Sequence, residues 1–171
     1  MRNNKKGFTL IELLAVIAIL AILVVLAVPA ILRIFNESKD SALVTQAQSI
    51  YKSAEEQIVT DQMKGESMPI TYCHSVDSNG STTNGDSTLE LSGTQAVSYK
   101  IVVSNVTTSD GKIVTGITSF VVTDGTKIIG KVAPAQTVLA ISDIGLDDIK
   151  AIDKDGETTP GDALDDLPTC N

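Results

Sequence analysis

The chain of 171 residues contains a single histidine, His74, and only two cysteines, Cys73 and Cys170. One imidazole cannot form a histidine pair, and Cys73-His74 has no further soft ligand nearby to complete a zinc site. No glycine-rich phosphate loop follows a strand pattern, and no Gly-x-Ser-x-Gly elbow is present. The pairs Asp147-Asp148 and Asp165-Asp166 fall in an acidic stretch where solvated charge explains them. These absences leave catalysis no footing, and no cofactor is expected. Basic residues are also few: 13 Lys and Arg stand against 21 Asp and Glu, a net charge of -8. An acidic exterior repels phosphate backbones at long range, so nucleic acid is not an expected partner. From Leu13 to Leu32 there is neither a charged residue nor a glycine, which removes the glycine-based motif by which membrane helices pair closely.

That apolar run is the most informative thing present. It is long enough to cross a bilayer as a helix. Glu12 stands at its start, where a carboxylate is costly to bury, so the sequence predicts that Glu12 needs a partner outside its own helix. Arg2, Lys5 and Lys6 precede the span, and positive charge favours the cytoplasmic side. The rest of the chain would then lie outside. Pro29 removes one backbone donor and crowds the preceding turn, so a kink or local opening is expected there. An ordinary secretory signal is an alternative, with Val28-Pro29-Ala30 imitating its cleavage site. Its core would be shorter and would not carry an acid. A simple anchored surface domain is another, and it requires the basic leader to remain attached.

The stretch Lys5-Lys6-Gly7-Phe8-Thr9-Leu10-Ile11-Glu12 resembles the processing and methylation motif of type IV pilins. The resemblance covers about the first 35 residues, and its short leader and long carboxyl domain are similar to major pilins of the IVa kind, clostridial ones among them. It implies that a prepilin peptidase cuts after Gly7 and that Phe8, the new amino terminus, is N-methylated. It implies that Glu12 meets the positive amino terminus of a neighbouring subunit during assembly, and that Pro29 bends the helix. The implied partners are further copies of the same chain, the peptidase, the assembly platform and, before assembly, the membrane. The implied product is an extracellular filament serving adhesion, surface motility or aggregation. A pseudopilin or minor pilin of a type II secretion or DNA-uptake machine is the competing reading. The host or surface ligand stays unidentified.

The predicted fold is α+β and pilin-like: a long N-terminal helix, transmembrane in its first half and amphipathic in its second, packed on a small antiparallel β-meander. In these terms residues 1–7 are a leader, 8–34 the membrane and filament-core helix, and 35–171 an extracellular domain. Leu43, Ala47, Ile50, Ala54 and Ile58 recur at three or four residues and mark the packed face of helix 35–64. Lys64-Gly65 predicts its end. Residues 65–95 read as an αβ-loop containing Cys73 and His74, with a weak strand over Leu89 to Leu91. Within 96–133, strands are expected over Tyr99 to Val106, Ile113 to Thr123 and Lys127 to Val132. Asp110-Gly111 and Asp124-Gly125 are the hairpin turns. Residues 134–171 read as an irregular carboxyl region, with a short helix or strand from Leu146 to Ile152.

Asp153, Asp155 and Glu157 are weak calcium candidates, because their spacing fails that of an EF-hand loop. Many pilins fasten their carboxyl segment with one disulfide, but here Cys73 precedes the predicted sheet. Cys73 and Cys170 either pair or remain separate thiols. If paired, they close a loop of nearly a hundred residues, which the chain-entropy model credits with about 4–5 kcal/mol.

Overall fold

The computed structural model describes residues 9–76, 82–85, 87, 89, 91, 97–151 and 170. The chain divides into two units, the first ending at Lys39 and the second beginning at Asp40. The helix α1, Leu10–Lys64, supplies all the described structure of the first unit beyond Thr9. Its leucine, isoleucine and valine side chains there are exposed throughout. It is long and apolar enough to cross a membrane, and none of its most apolar window is buried. α1 continues unbroken through Pro29, whose ring nitrogen has no hydrogen for the carbonyl one turn back. Arg33 Nε donates to Glu37 Oε1 at 2.8 Å across one turn. Both side chains are solvated, so the pair adds little stability.

In the second unit the expected stripe is the buried face of α1: Leu43, Ala47, Ile50, Ala54 and Ile58, joined by Tyr51 and Asp61. The helix ends where Gly65 takes φ +80°. Gly65 N donates to Gln62 O at 3.1 Å and Glu66 N to Asp61 O at 3.0 Å. This is the bond pair of a Schellman stop, and the left-handed position it needs favours glycine.

Six strands follow: β1 Ile70–Val76, β2 Thr82–Asn84, β3 Ser98–Thr107, β4 Ile113–Thr123, β5 Lys127–Val132 and β6 Ile149–Ala151. They form one sheet in the order β2-β1-β3-β4-β5-β6, with every neighbouring pair antiparallel. The architecture is a helix on an antiparallel sheet, with twice the strands of the expected meander. β1 and β2 lie in what read as loop, so Cys73 and His74 are strand residues. β1 was hidden because its short alternation, Tyr72 inward and Cys73 outward, sits between Pro69 and a polar run. Leu89 and Leu91 are outside any strand, although Leu89 is buried. The expected turns hold: Gly111 and Gly125 take φ +79° and +86°. Asp124 Oδ1 gathers Thr126 N, Thr126 Oγ1 and Lys127 N at 2.8 Å each.

Tyr72, Tyr99, Ile101, Val103, Ile117, Phe120, Val122 and Ile129 meet the α1 stripe in one core. Tyr51 and Phe120 rings pack at 5.9 Å between centroids. By strand alternation Val121 and Ile128 point to the other sheet face, and they are buried as well. β3 and β4 slip register between Val102 and Val103: Ser119 faces Val102 and Ile117 faces Val103, leaving Thr118 as the extra residue of a bulge. β5 covers β4 only from Ser119 onward. The segment after β5 serves the remainder: Ala133 N donates to Thr118 O and Leu139 N to Ile117 O, both at 2.8 Å. α1 holds this segment, with Tyr51 OH donating to Leu139 O at 2.6 Å and Gln48 Nε2 to Ile144 O at 3.1 Å. The predicted short element near Leu146 is both helix and strand, a 3-10 turn at Leu146–Asp148 running into β6.

Candidate assembly site

The amino-terminal end of α1 is a closed hydrogen-bond ring. Thr9 N and Thr9 Oγ1 each donate to Glu12 Oε2 at 2.8 Å, and Glu12 N donates to Thr9 Oγ1 at 3.3 Å. Thr9 and Glu12 thus form a capping box, which satisfies orphan donors of the first turn reciprocally. The helix therefore starts at Leu10, not at Phe8. Within its own chain, Glu12 is held by Thr9, the residue that caps the helix. The sequence carries the pattern for this box, Thr-x-x-Glu before an apolar run. Among the described residues nothing donates to Glu12 Oε1. Around the ring the apolar surface is open: Leu10 is 81% exposed, Ile11 72% and Leu13 63%.

Pro29 lies within the same exposed helix. Gly7 and Phe8, the cleavage and methylation residues, lie outside the described residues, as do Asp153, Asp155 and Glu157. Among the described residues no cluster of three or more His, Cys, Asp or Glu is placed to hold a metal.

In the second unit Cys73 and Cys170 are joined, with Cα atoms 5.7 Å apart and a sequence separation of 97. Cys73 sits in β1, and the backbone of Gly85 and of Ser87 flanks it: Gly85 N donates to Cys73 O and Cys73 N to Ser87 O, both at 3.0 Å. A Cβ on Gly85 would lie 3.0 Å from Cys73 Cβ, so the backbone passes where a side chain would collide. His74, on the opposite face of β1, stacks on Tyr99 with centroids 5.6 Å apart. Its Nδ1 is 2.7 Å from Asn84 Oδ1, and its Nε2 is buried with no partner among the described residues.

Sequence reading missed a buried polar pair. Tyr72 OH donates to Asp61 Oδ2 at 2.7 Å, and Gln57 Nε2 donates to Asp61 Oδ1 at 2.8 Å. Burial raises the Asp61 carboxyl, but the bonds from Tyr72 and Gln57 and the charge of Lys64 outweigh it and hold the group below its ordinary range. Burial first, and then Asp61, push the Tyr72 hydroxyl well above the usual phenol range. Tyr51 is pushed up to about 12 by burial and by the charges of Glu55 and Asp143. Asp148 is not merely solvated: its Oδ1 is 2.6 Å from Lys131 Nζ, and its Oδ2 accepts from Gly145 N at 2.9 Å. The bond to Asp148 raises Lys131.

The family described as the Prokaryotic N-terminal methylation motif matches residues 2–28. No curated protein and no solved structure matches the chain. The matched stretch spans Gly7, Phe8 and Glu12 and is the leader of type IV prepilins, which are structural proteins rather than enzymes. It implies processing by a prepilin peptidase, a membrane-anchored precursor and assembly into a pilus-type filament. The chain thus carries the amino-terminal methylation motif found in type IV prepilins on an exposed apolar helix, followed by a helix-on-sheet unit, which supports a pilin-like or pseudopilin-like precursor.

Proposed function

We propose that this precursor is cut after Gly7, methylated at Phe8 and assembled into a helical surface filament as the structural subunit of a type IV pilus. Residues 8–34 form the shaft helix and residues 35–171 the outward domain. The observation that carries this reading is the apolar stem, exposed from Leu10 to Phe35, beside a second unit that closes a core of its own. So much unpartnered apolar surface calls for lipid or for the stems of other subunits. Leaving the membrane, a stem exchanges lipid contacts for contacts with its neighbours, and Pro29 supplies the bend for that change of surroundings. Glu12 sets registry: a subunit whose Phe8 ammonium misses a neighbour's Glu12 leaves charge unpaired in an apolar medium. Adhesion, surface motility or aggregation then belong to the filament as a whole.

The test combines mass spectrometry of sheared surface filaments with a Glu12→Ala variant. The expected result is this chain as the main filament protein, beginning at N-methylated Phe8. The variant should insert and be processed but give a much smaller filament yield. A mature chain that keeps Met1 to Gly7, or a full filament yield from Glu12→Ala, would refute the reading. A minor share of the filament mass would assign the chain to the pseudopilin or minor-pilin role instead.

A further inference from the structure

We propose that neighbouring copies join their outward domains by strand addition: the bare edge of β4 at Ile113–Thr115 in one copy pairs with the bare edge of β2, Thr82–Asn84, in the next. The inference rests on the filament reading given above. β5 stops pairing with β4 at Ser119, and the segment behind it reaches only as far as Ile117. The ladder decides which backbone groups of the uncovered part face outward. At the closed end of the hairpin Thr108 N donates to Lys112 O at 2.8 Å. Bonded and unbonded pairs then alternate along an antiparallel ladder. Val114 is therefore bonded to Val106, while Ile113 and Thr115 turn their N–H and C=O away from β3. Leu139 N donating to Ile117 O obeys the same alternation. Among the described residues nothing bonds these outward groups of Ile113 and Thr115. Natural sheet edges are commonly blunted by charge, proline or a cover, yet Ile113-Val114-Thr115-Gly116 carries neither charge nor proline. Beside this edge a groove of about 260 Å3 runs between α1 and β4, walled by Ile58, Val59, Thr115, Ile117 and Val138. Val59 is 54% exposed and Ile113 68%. An added strand makes main-chain bonds at such an edge and sets alternate side chains into such a groove.

The occupant that suits this edge is a second copy of the chain. A short stretch of backbone with two exposed apolar side chains falls well below the roughly 1,000 Å2 that a free pair of proteins needs. Such a contact holds only where another contact already keeps the partners together. α1 supplies that other contact, because the same helix carries the exposed stem and one wall of the groove. A β4 edge meeting a second β4 edge would close a two-fold pair, whereas a filament needs two different surfaces that repeat head to tail without closing. β2 provides the second surface. It is the outermost strand on the far side of β3. It is as long as the bare stretch of β4, and each of its residues is exposed. β6, the other outermost strand, lies on the same side of β4 as the bare stretch and is less exposed. Pairing through β2 therefore carries the sheet onward in one direction from copy to copy.

Residue-resolved hydrogen exchange tests this by comparing sheared filament with the full chain held as a subunit in detergent. The amides of Ile113 and Thr115, and at least one within Thr82–Asn84, should exchange at least about tenfold more slowly in the filament. Thr107 is the control, because its N–H faces outward on the opposite side of the same hairpin, beyond the reach of β1. Its exchange should not change. Ile113→Lys places a charge on the edge at an exposed position and leaves the core alone. It should keep the Tm of the subunit and the removal of the leader, and lower the filament yield per mature subunit about threefold, the effect of losing one good cross-strand pair. Unslowed exchange at Ile113 and Thr115 overturns the proposal, as does equal slowing at Thr107. Slowing on β4 without slowing within Thr82–Asn84, or parent yield from Ile113→Lys, also overturns it. If the chain is absent from sheared filament, the assembly reading itself fails. If it is the main protein there and Ile113 and Thr115 exchange as in detergent, only the strand addition is lost.

Discussion

Tyr72→Phe removes one oxygen from the middle of the second unit, and its effect can be worked through. Tyr72 is fully buried, and the side chain of Asp61 is 10% exposed. The substitution leaves the ring in place, so the apolar packing survives. Asp61 Oδ2 loses its donor at 2.7 Å, while Oδ1 keeps Gln57 at 2.8 Å and Lys64 at 3.5 Å. A hydrogen bond to a charged group contributes about 1.5–3 kcal/mol. For a unit of this size that corresponds to a fall in Tm of roughly 6–10 °C. The pH dependence gives a second handle. The folded Asp61 carboxyl lies below its ordinary value, so its stabilisation is fully present above the unfolded carboxyl pKa of about 3.9 and is lost as pH falls through the folded value. The Tyr72→Phe deficit should therefore be largest near neutrality and shrink below about pH 4. Circular dichroism melts of the full chain in detergent, at neutral pH and below pH 4, measure both. A Tm within about 1 °C of the parent at neutral pH would refute the energetic argument. A deficit that is the same at both pH values would refute its assignment to the ionised carboxylate.

Two further outcomes are expected. Cys73→Ser, or reduction of the parent, opens a covalent loop with a separation of 97 positions, and should cost about 4–5 kcal/mol in denaturant unfolding. A loss below about 1 kcal/mol would mean that the reduced chain is already restrained. Gly116→Ala places a Cβ 2.9 Å from Val138 Cγ1 and should destabilise by about 1–3 kcal/mol through overpacking. Adding Val138→Gly, which removes Cγ1 and also the Cβ that would lie 3.0 Å away, should recover part of that loss, and a double variant with no relief relative to Val138→Gly alone would contradict the steric cause.

The long helix and the three central strands were legible because each announces itself locally. The α1 stripe keeps its period from Leu43 to Ile58, and Gly65 marks the stop. Asp110-Gly111 and Asp124-Gly125 bracket β4, whose alternation puts Phe120 and Val122 on one face and Val121 on the other. Of the outer strands, β1 and β2 were not legible and β6 was foreseen only as a short helix or strand, because their identity is set by partners. β2 has three residues and exists by pairing His74 to Val76 with Thr82 to Asn84. β6 is equally short and is defined by Lys127 to Ile129. Asp61 was missed for a similar reason: it continues the buried stripe as a polar residue, and only Tyr72, on a strand not foreseen, explains why it is tolerated. At the amino terminus the capping pattern Thr9-x-x-Glu12 was present in the sequence, and the structure forms it.

The link between β1 and the carboxyl end also governs how the second unit meets tension. A load entering along α1 passes through Gly65 and Ile70 and arrives at Cys73, where the path can leave directly through Cys170. The intervening chain, about 330 Å if drawn out fully, is bypassed and cannot be reeled out while the sulfurs stay joined. Under traction the unit can yield only the few residues between the end of α1 and Cys73, so it behaves as a short tether with most of its slack locked away.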